Sequence, residues 1–158
     1  MKKILIALDY EPFAEKVAAT GYAVAKAMNA EVLLLHVIME PAYYSNTEYS
    51  PIMGFIGFNG LDTLELVKSL EKEAYGFLEQ SRKHLGDENI KIAAVEGDFA
   101  QTIIDAAAEF DADMIVMGVH HRKGFDKFLM GNLAEKILNS TSIPLLAIPG
   151  PKETEQNS

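Results

Sequence analysis

Residues 112–124 read Ala112-Asp113-Met114-Ile115-Val116-Met117-Gly118-Val119-His120-His121-Arg122-Lys123-Gly124. Met114 to Met117 is an unbroken apolar run of strand length, the pattern of a strand covered on both faces, as in a parallel sheet. It passes straight into a glycine, two histidines and two basic residues. Three other runs share its character: Lys3-Ile4-Leu5-Ile6-Ala7-Leu8, Glu31-Val32-Leu33-Leu34-Leu35-His36-Val37 and Pro144-Leu145-Leu146-Ala147-Ile148. A further run, Ile90 to Val95, mixes in Lys91 and borders Glu96, which marks an edge strand.

Segments of helical period separate these runs. Val17, Gly21, Val24 and Met28 form one face, and Leu66, Leu70, Ala74 and Phe77 form the next. Ile103, Ala107 and Phe110 form a third, and Leu133 and Ile137 a fourth. Asp62 with Glu65 and Asp98 with Gln101 have capping-box spacing and open the second and third helices. The fourth helix is expected to begin near Gly131-Asn132. The order βαβαβαβαβ implies right-handed crossovers onto an open parallel sheet with helices on both faces, a doubly wound, Rossmann-like α/β fold.

The chain has 158 residues, which suits one domain, placed at residues 1–149 with a polar tail at 150–158. Two connections exceed the usual length of about 2–6 residues. One spans 38–60 and holds Tyr43, Tyr44, Tyr49 and the apolar stretch 52–58; the other spans 119–130. The first reads either as a lid packed on its own core or as a partner-binding or site-covering flap.

Fourteen Lys and Arg against 23 Asp and Glu give a net charge of −9, so binding to nucleic acid or an anionic membrane surface is not expected. No apolar run approaches the roughly 18 residues of a membrane span. Asp9 interrupts the N-terminal apolar stretch with no small-residue cleavage site, so a buried strand and a cytoplasmic protein are expected. The absence of cysteine excludes disulfides, thiolate chemistry and cysteine-ligated metal sites.

In an open parallel sheet, ligands bind beyond the carboxyl ends of the strands, where strand order reverses. That directs attention to Asp9, Val37-Ile38, Glu96-Gly97-Asp98 and the residues from Gly118 onward. Gly118 would let backbone N–H groups approach an anion, and a helix start at Gly131 would add donors and partial positive charge. Arg122, Lys123 and Lys127 bring cations to the same loop. Neither the Walker lysine pattern nor a GxGxxG after the first strand is present. His120 and His121 are adjacent and lack a carboxylate cluster, which favours solvated imidazoles or phosphate contacts over a zinc site. His36 reads as a satisfied core histidine and Asp98 as a helix cap. No catalytic residue and no metal ligand is assigned.

Taken together, Lys2 to Asp9, Leu34-Leu35-His36-Val37, Gly97-Asp98 through Ile104, Ala112 to Gly118, Leu129 to Leu138 and Ile143 to Leu146 resemble the universal stress protein family across residues 2–149. The resemblance implies strand order 3-2-1-4-5 and a homodimer paired through residues 144–148. It also implies a dimeric stress-response regulator that binds an adenine nucleotide, ATP or AMP, with Mg2+ only alongside ATP. No residue is an obvious base for activating water, so the protein is not expected to be an enzyme, with slow ATP hydrolysis left open. Asp9 would hold the ribose hydroxyls and Val37 would line the adenine pocket, with Ala7 and Leu8 beside them. Met117, Gly118 and Val119 would contact base and ribose, and His121, Arg122, Gly131, Asn132 and Leu133 would belong to the phosphate motif. The family's nucleotide-binding branch carries Gly, two residues, Gly, nine residues, then Gly followed by Ser, Thr or Asn. Here the spacing is intact but His121 stands at the second glycine. A non-glycine residue in a left-handed conformation costs roughly 1–2 kcal/mol, while the imidazole N–H is a donor that a phosphate accepts from. The other branch lacks the site, and a member of it would act as an interaction protein through strand five and residues 42–60.

Overall fold

The computed structural model describes residues 2–10, 13–39, 60–119 and 125–150, with the side chains of 60–63 and 125–132 excepted. Residues 40–59, which hold most of the first long connection, and 120–124 lie outside the described residues. The elements are β1 (Lys3–Ala7), α1 (Ala14–Ala27), β2 (Glu31–Ile38), α2 (Gly60–Leu85), β3 (Lys91–Glu96), α3 (Phe99–Phe110), β4 (Met114–Val119), α4 (Phe125–Ser140) and β5 (Leu145–Pro149). They build one five-stranded parallel sheet in the order β3-β2-β1-β4-β5, the order that the family resemblance implies.

Side chains alternate across the strands, so the apolar runs fill two cores. Ile4, Ile6, Leu34 and Val116 face α1 and α2, where Val17, Ala25 and Leu78 meet them. Leu5, Leu35, Ile115 and Met117 face α3 and α4, where Ile103, Ala107 and Ile137 meet them. The continuous Val/Ile/Leu composition of the central strands follows from this double coverage: Ile4, Leu5 and Ile6 are all fully buried. Each such side chain contributes about 1.5–3 kcal/mol of transfer free energy. β3 is an edge strand with exposed residues at both ends, as its charges suggested.

Local chemistry sets several element boundaries. Asp98 caps α3 by accepting from the Gln101 N–H at 3.1 Å. Gly97 before it has φ of 151°, and a Cβ there would meet the Thr102 Oγ1 at 2.5 Å, so this turn admits glycine alone without rearrangement.

Two boundaries correct the sequence reading. α4 begins at Phe125 instead of near Gly131, because residues 125–130 contain no breaker and an internal glycine costs only about 1 kcal/mol relative to alanine. α2 begins at Gly60, ahead of Asp62. β5 ends at Pro149, which lies in register with Val119, and the Gly150 N–H donates to the Val119 carbonyl at 2.8 Å.

Candidate functional site

β1 lies between β2 and β4, and the chain crosses from one side of β1 to the other on passing from β3 to β4. The carboxyl ends of β1 and β4 therefore border the switch-point crevice of this sheet. A cavity of about 300 Å³ opens there. Ala7, Leu8, Asp9, Leu35, Val37, Met117 and Gly118 line it from the strand ends. Phe13, Ala14 and Val17 close it from α1, Phe99 and Ile103 from α3, and Leu133 from α4. Register places its floor: Ala7 is level with Leu35 on one side and with Met117 on the other.

Among the described residues that line the cavity, Asp9 alone is charged. Its Oδ1 accepts from the Tyr10 backbone N–H at 2.8 Å. The remaining wall is apolar, and Val37 and Met117 are buried. An arrangement of this kind suits a flat, apolar-faced ring carrying a hydroxyl-bearing appendage: the wall takes the ring and the carboxylate accepts from the hydroxyls.

The residues expected from the sequence fall into three groups. Ala7, Leu8, Asp9, Val37, Met117, Gly118 and Leu133 come together around the cavity. Val119 sits just past them as the last residue of β4, its carbonyl occupied by Gly150. His121 and Arg122 lie outside the described residues, and Gly131 and Asn132 fall within α4, away from its first turn. The expected helix start at Gly131 is therefore not available to supply N–H donors there.

Gly118 also has a packing role. A Cβ at this position would lie 2.7 Å from Phe13 Cε2 and 2.8 Å from Val17 Cγ2. The missing side chain makes room for the ring of Phe13, just before α1. Phe13 was absent from the sequence reading, although it extends the Val17, Gly21 and Val24 stripe by one turn. Phe99 and Ile103 were also missed as lining residues, since a helix face packed on a sheet gives no sign of which turn reaches a cavity. Titrations are perturbed at Tyr22 and Asp87, neither of which lines the cavity.

Comparison with known proteins fits this architecture. The model of the universal stress protein family matches residues 1–149. Universal stress protein MJ0577 of Methanocaldococcus jannaschii is 30% identical over 153 residues, covering 93% of this chain and 94% of the relative. Universal stress protein MJ0531 of the same organism is 29% identical over 155 residues, covering 96% and 84%. The solved structure of MJ0577 superposes with a TM-score of 0.71 at 27% identity, covering 96% of this chain and 98% of that one. A universal stress protein crystallised in complex with cAMP shares the fold at a TM-score of 0.57 and 13% identity, covering 93% and 95%. With the family model spanning every strand and helix described above, the chain belongs to the universal stress protein family.

Proposed function

We propose that this universal stress protein binds an adenine nucleotide of the ATP or AMP class at the carboxyl ends of β1, β2 and β4. It works as a dimeric, cytoplasmic stress-response regulator and not as an enzyme. The observation that carries this reading is the apolar cavity of about 300 Å³ at the switch point with the Asp9 carboxylate in its wall. Its volume lies at the lower end of small-molecule sites, about 300–1,000 Å³. That suits base and ribose. Val37 and Met117 flank the base, and Asp9 accepts from the ribose hydroxyls. Mg2+ accompanies ATP only. The cAMP complex of a protein of the same fold supports the ligand class. β5 is an edge strand, which supports pairing of two chains through residues 144–148.

One observation favours a second reading. Gly131 and Asn132 lie inside α4, so part of the phosphate motif does not stand at a helix start. On that reading the chain is an interaction protein that binds no nucleotide and meets partners through β5 and residues 42–60. Isothermal titration of the full chain with ATP, AMP and cAMP separates the two. Saturable binding of any one supports the nucleotide reading; no heat at ~1 mM ligand overturns it in favour of the second.

A further inference from the structure

His36 faces away from the cavity that its neighbour Val37 lines, because successive strand residues point to opposite faces. Its imidazole is nevertheless joined to the site. The side chain is 4% exposed, and Nδ1 lies 2.8 Å from the Leu8 carbonyl oxygen. A carbonyl only accepts, so Nδ1 carries the proton and donates. The Leu8 carbonyl lies in the same rigid peptide plane as the Asp9 N and Cα, so holding that oxygen holds the Asp9 Cα. One plane earlier, the Leu8 N–H donates to the Leu35 carbonyl at 2.8 Å.

The far side of Asp9 returns to the same ring. The Tyr10 N–H holds the Asp9 Oδ1 at 2.8 Å. The Tyr10 ring packs on the imidazole with centroids 4.4 Å apart. Phe77 of α2 backs both, 4.9 Å from Tyr10 and 5.8 Å from His36. Both neighbours of Asp9 thus rest on one buried imidazole.

We propose that His36 is a positioning residue for Asp9: its Nδ1–H fixes the Leu8–Asp9 peptide, and its ring supports Tyr10, so that the carboxylate is held at the cavity. The consequence for ribose recognition rests on the nucleotide reading above; the consequence for the turn does not.

Two variants separate the hydrogen bond from the packing. His36→Asn keeps an N–H donor near the place of Nδ1, and His36→Leu keeps comparable bulk without one. In the ligand-free chain, amide exchange of Tyr10 measured by NMR is expected to be at least about fivefold faster in His36→Leu than in His36→Asn, the scale of one lost hydrogen bond, with β4 amides unchanged. Titration with ATP and 2′,3′-dideoxy-ATP is expected to show ATP binding about fivefold weaker in His36→Leu than in His36→Asn, a smaller loss in His36→Asn from the missing ring, and no change for the dideoxy analogue in either. Equal Tyr10 exchange in the two variants overturns the proposal, as does a parallel loss for both nucleotides, which is the mark of a general structural role. If His36→Leu does not fold, Tyr10→Ala removes the ring support alone. It is expected to weaken ATP and spare the dideoxy analogue, and an unchanged ATP affinity overturns the proposal. If the wild-type chain binds no nucleotide, or Asp9→Ala binds ATP as tightly as wild type, the nucleotide reading falls and amide exchange at position 10 alone decides the role of His36: faster exchange in His36→Leu than in His36→Asn supports it and equal exchange overturns it, and where His36→Leu does not fold the same comparison is made between Tyr10→Ala and wild type, each corrected for its intrinsic rate.

Discussion

The Phe13 ring stands where a side chain at residue 118 would have to go, with Cε2 2.7 Å from the position of a Cβ on Gly118. The same ring crowds Gly150, where a Cβ would lie 2.9 Å from Phe13 Cε1. The ends of β4 and β5 are thereby packed against the first turn of α1. Gly118→Ala is expected to lower stability by about 1–3 kcal/mol, the cost of overpacking. Phe13→Leu in the same chain should recover part of it, because residues in contact are not additive. Urea denaturation of the two single variants and the double variant checks this; strict additivity would show that the ring does not set the cost.

Asp9 is the sole charged residue in the described cavity wall. If it receives the ribose hydroxyls, Asp9→Ala should weaken ATP binding at least tenfold, or about 1.4 kcal/mol. Asp9 is exposed, so its removal should leave thermal stability close to wild type. Calorimetric titration measures the first effect and a melting curve the second. Unchanged affinity would move the site away from β1.

How much of this was legible in the sequence depended on how local each cause is. β1, β2 and β4 could be read because burial on both faces writes an unbroken apolar run, and β3 because Lys91 and Glu96 belong at an edge; β5 carries the same kind of run, although only Ile148 of it is buried. The α3 cap could be read because Asp98 and Gln101 lie within one turn. The α4 start was misplaced because Gly131-Asn132 looks like a helix boundary, whereas one internal glycine is too weak to stop a helix already under way. Phe13 lies 105 residues from Gly118 in sequence, and the His36 partner is a backbone atom 28 residues away. No periodicity within a strand or helix reports contacts of that kind.

His121 occupies the second glycine of the phosphate pattern. If nucleotide binds, His121→Gly should leave ATP affinity equal or stronger, since glycine removes both bulk and any left-handed strain. A loss of tenfold or more in the same titration would identify the imidazole as a genuine phosphate donor.

A pair remote from the cavity governs the expected response to pH. The Tyr22 hydroxyl donates to Asp87 Oδ2 at 2.8 Å. The Asn89 backbone N–H, with Tyr22 second, holds the Asp87 carboxyl below the usual carboxylate range. The hydrogen bond to Asp87 in turn raises Tyr22 above its ordinary value of 10.0. The two signs differ. Asp87 is depressed in the folded state, so its contribution is present above the unfolded carboxylate pKa and is lost as pH falls through the folded value. Tyr22 is raised, so its contribution is present below 10.0 and is lost as pH rises through the folded value. Tyr22→Phe should therefore be destabilised relative to wild type across neutral pH, with the difference narrowing on the acid side as Asp87 protonates and on the alkaline side as the wild-type hydroxyl ionises. Denaturation midpoints of both proteins from acid to alkaline pH check this. A difference that stays constant throughout would place the cost of the substitution in packing, with no part assigned to the hydrogen bond.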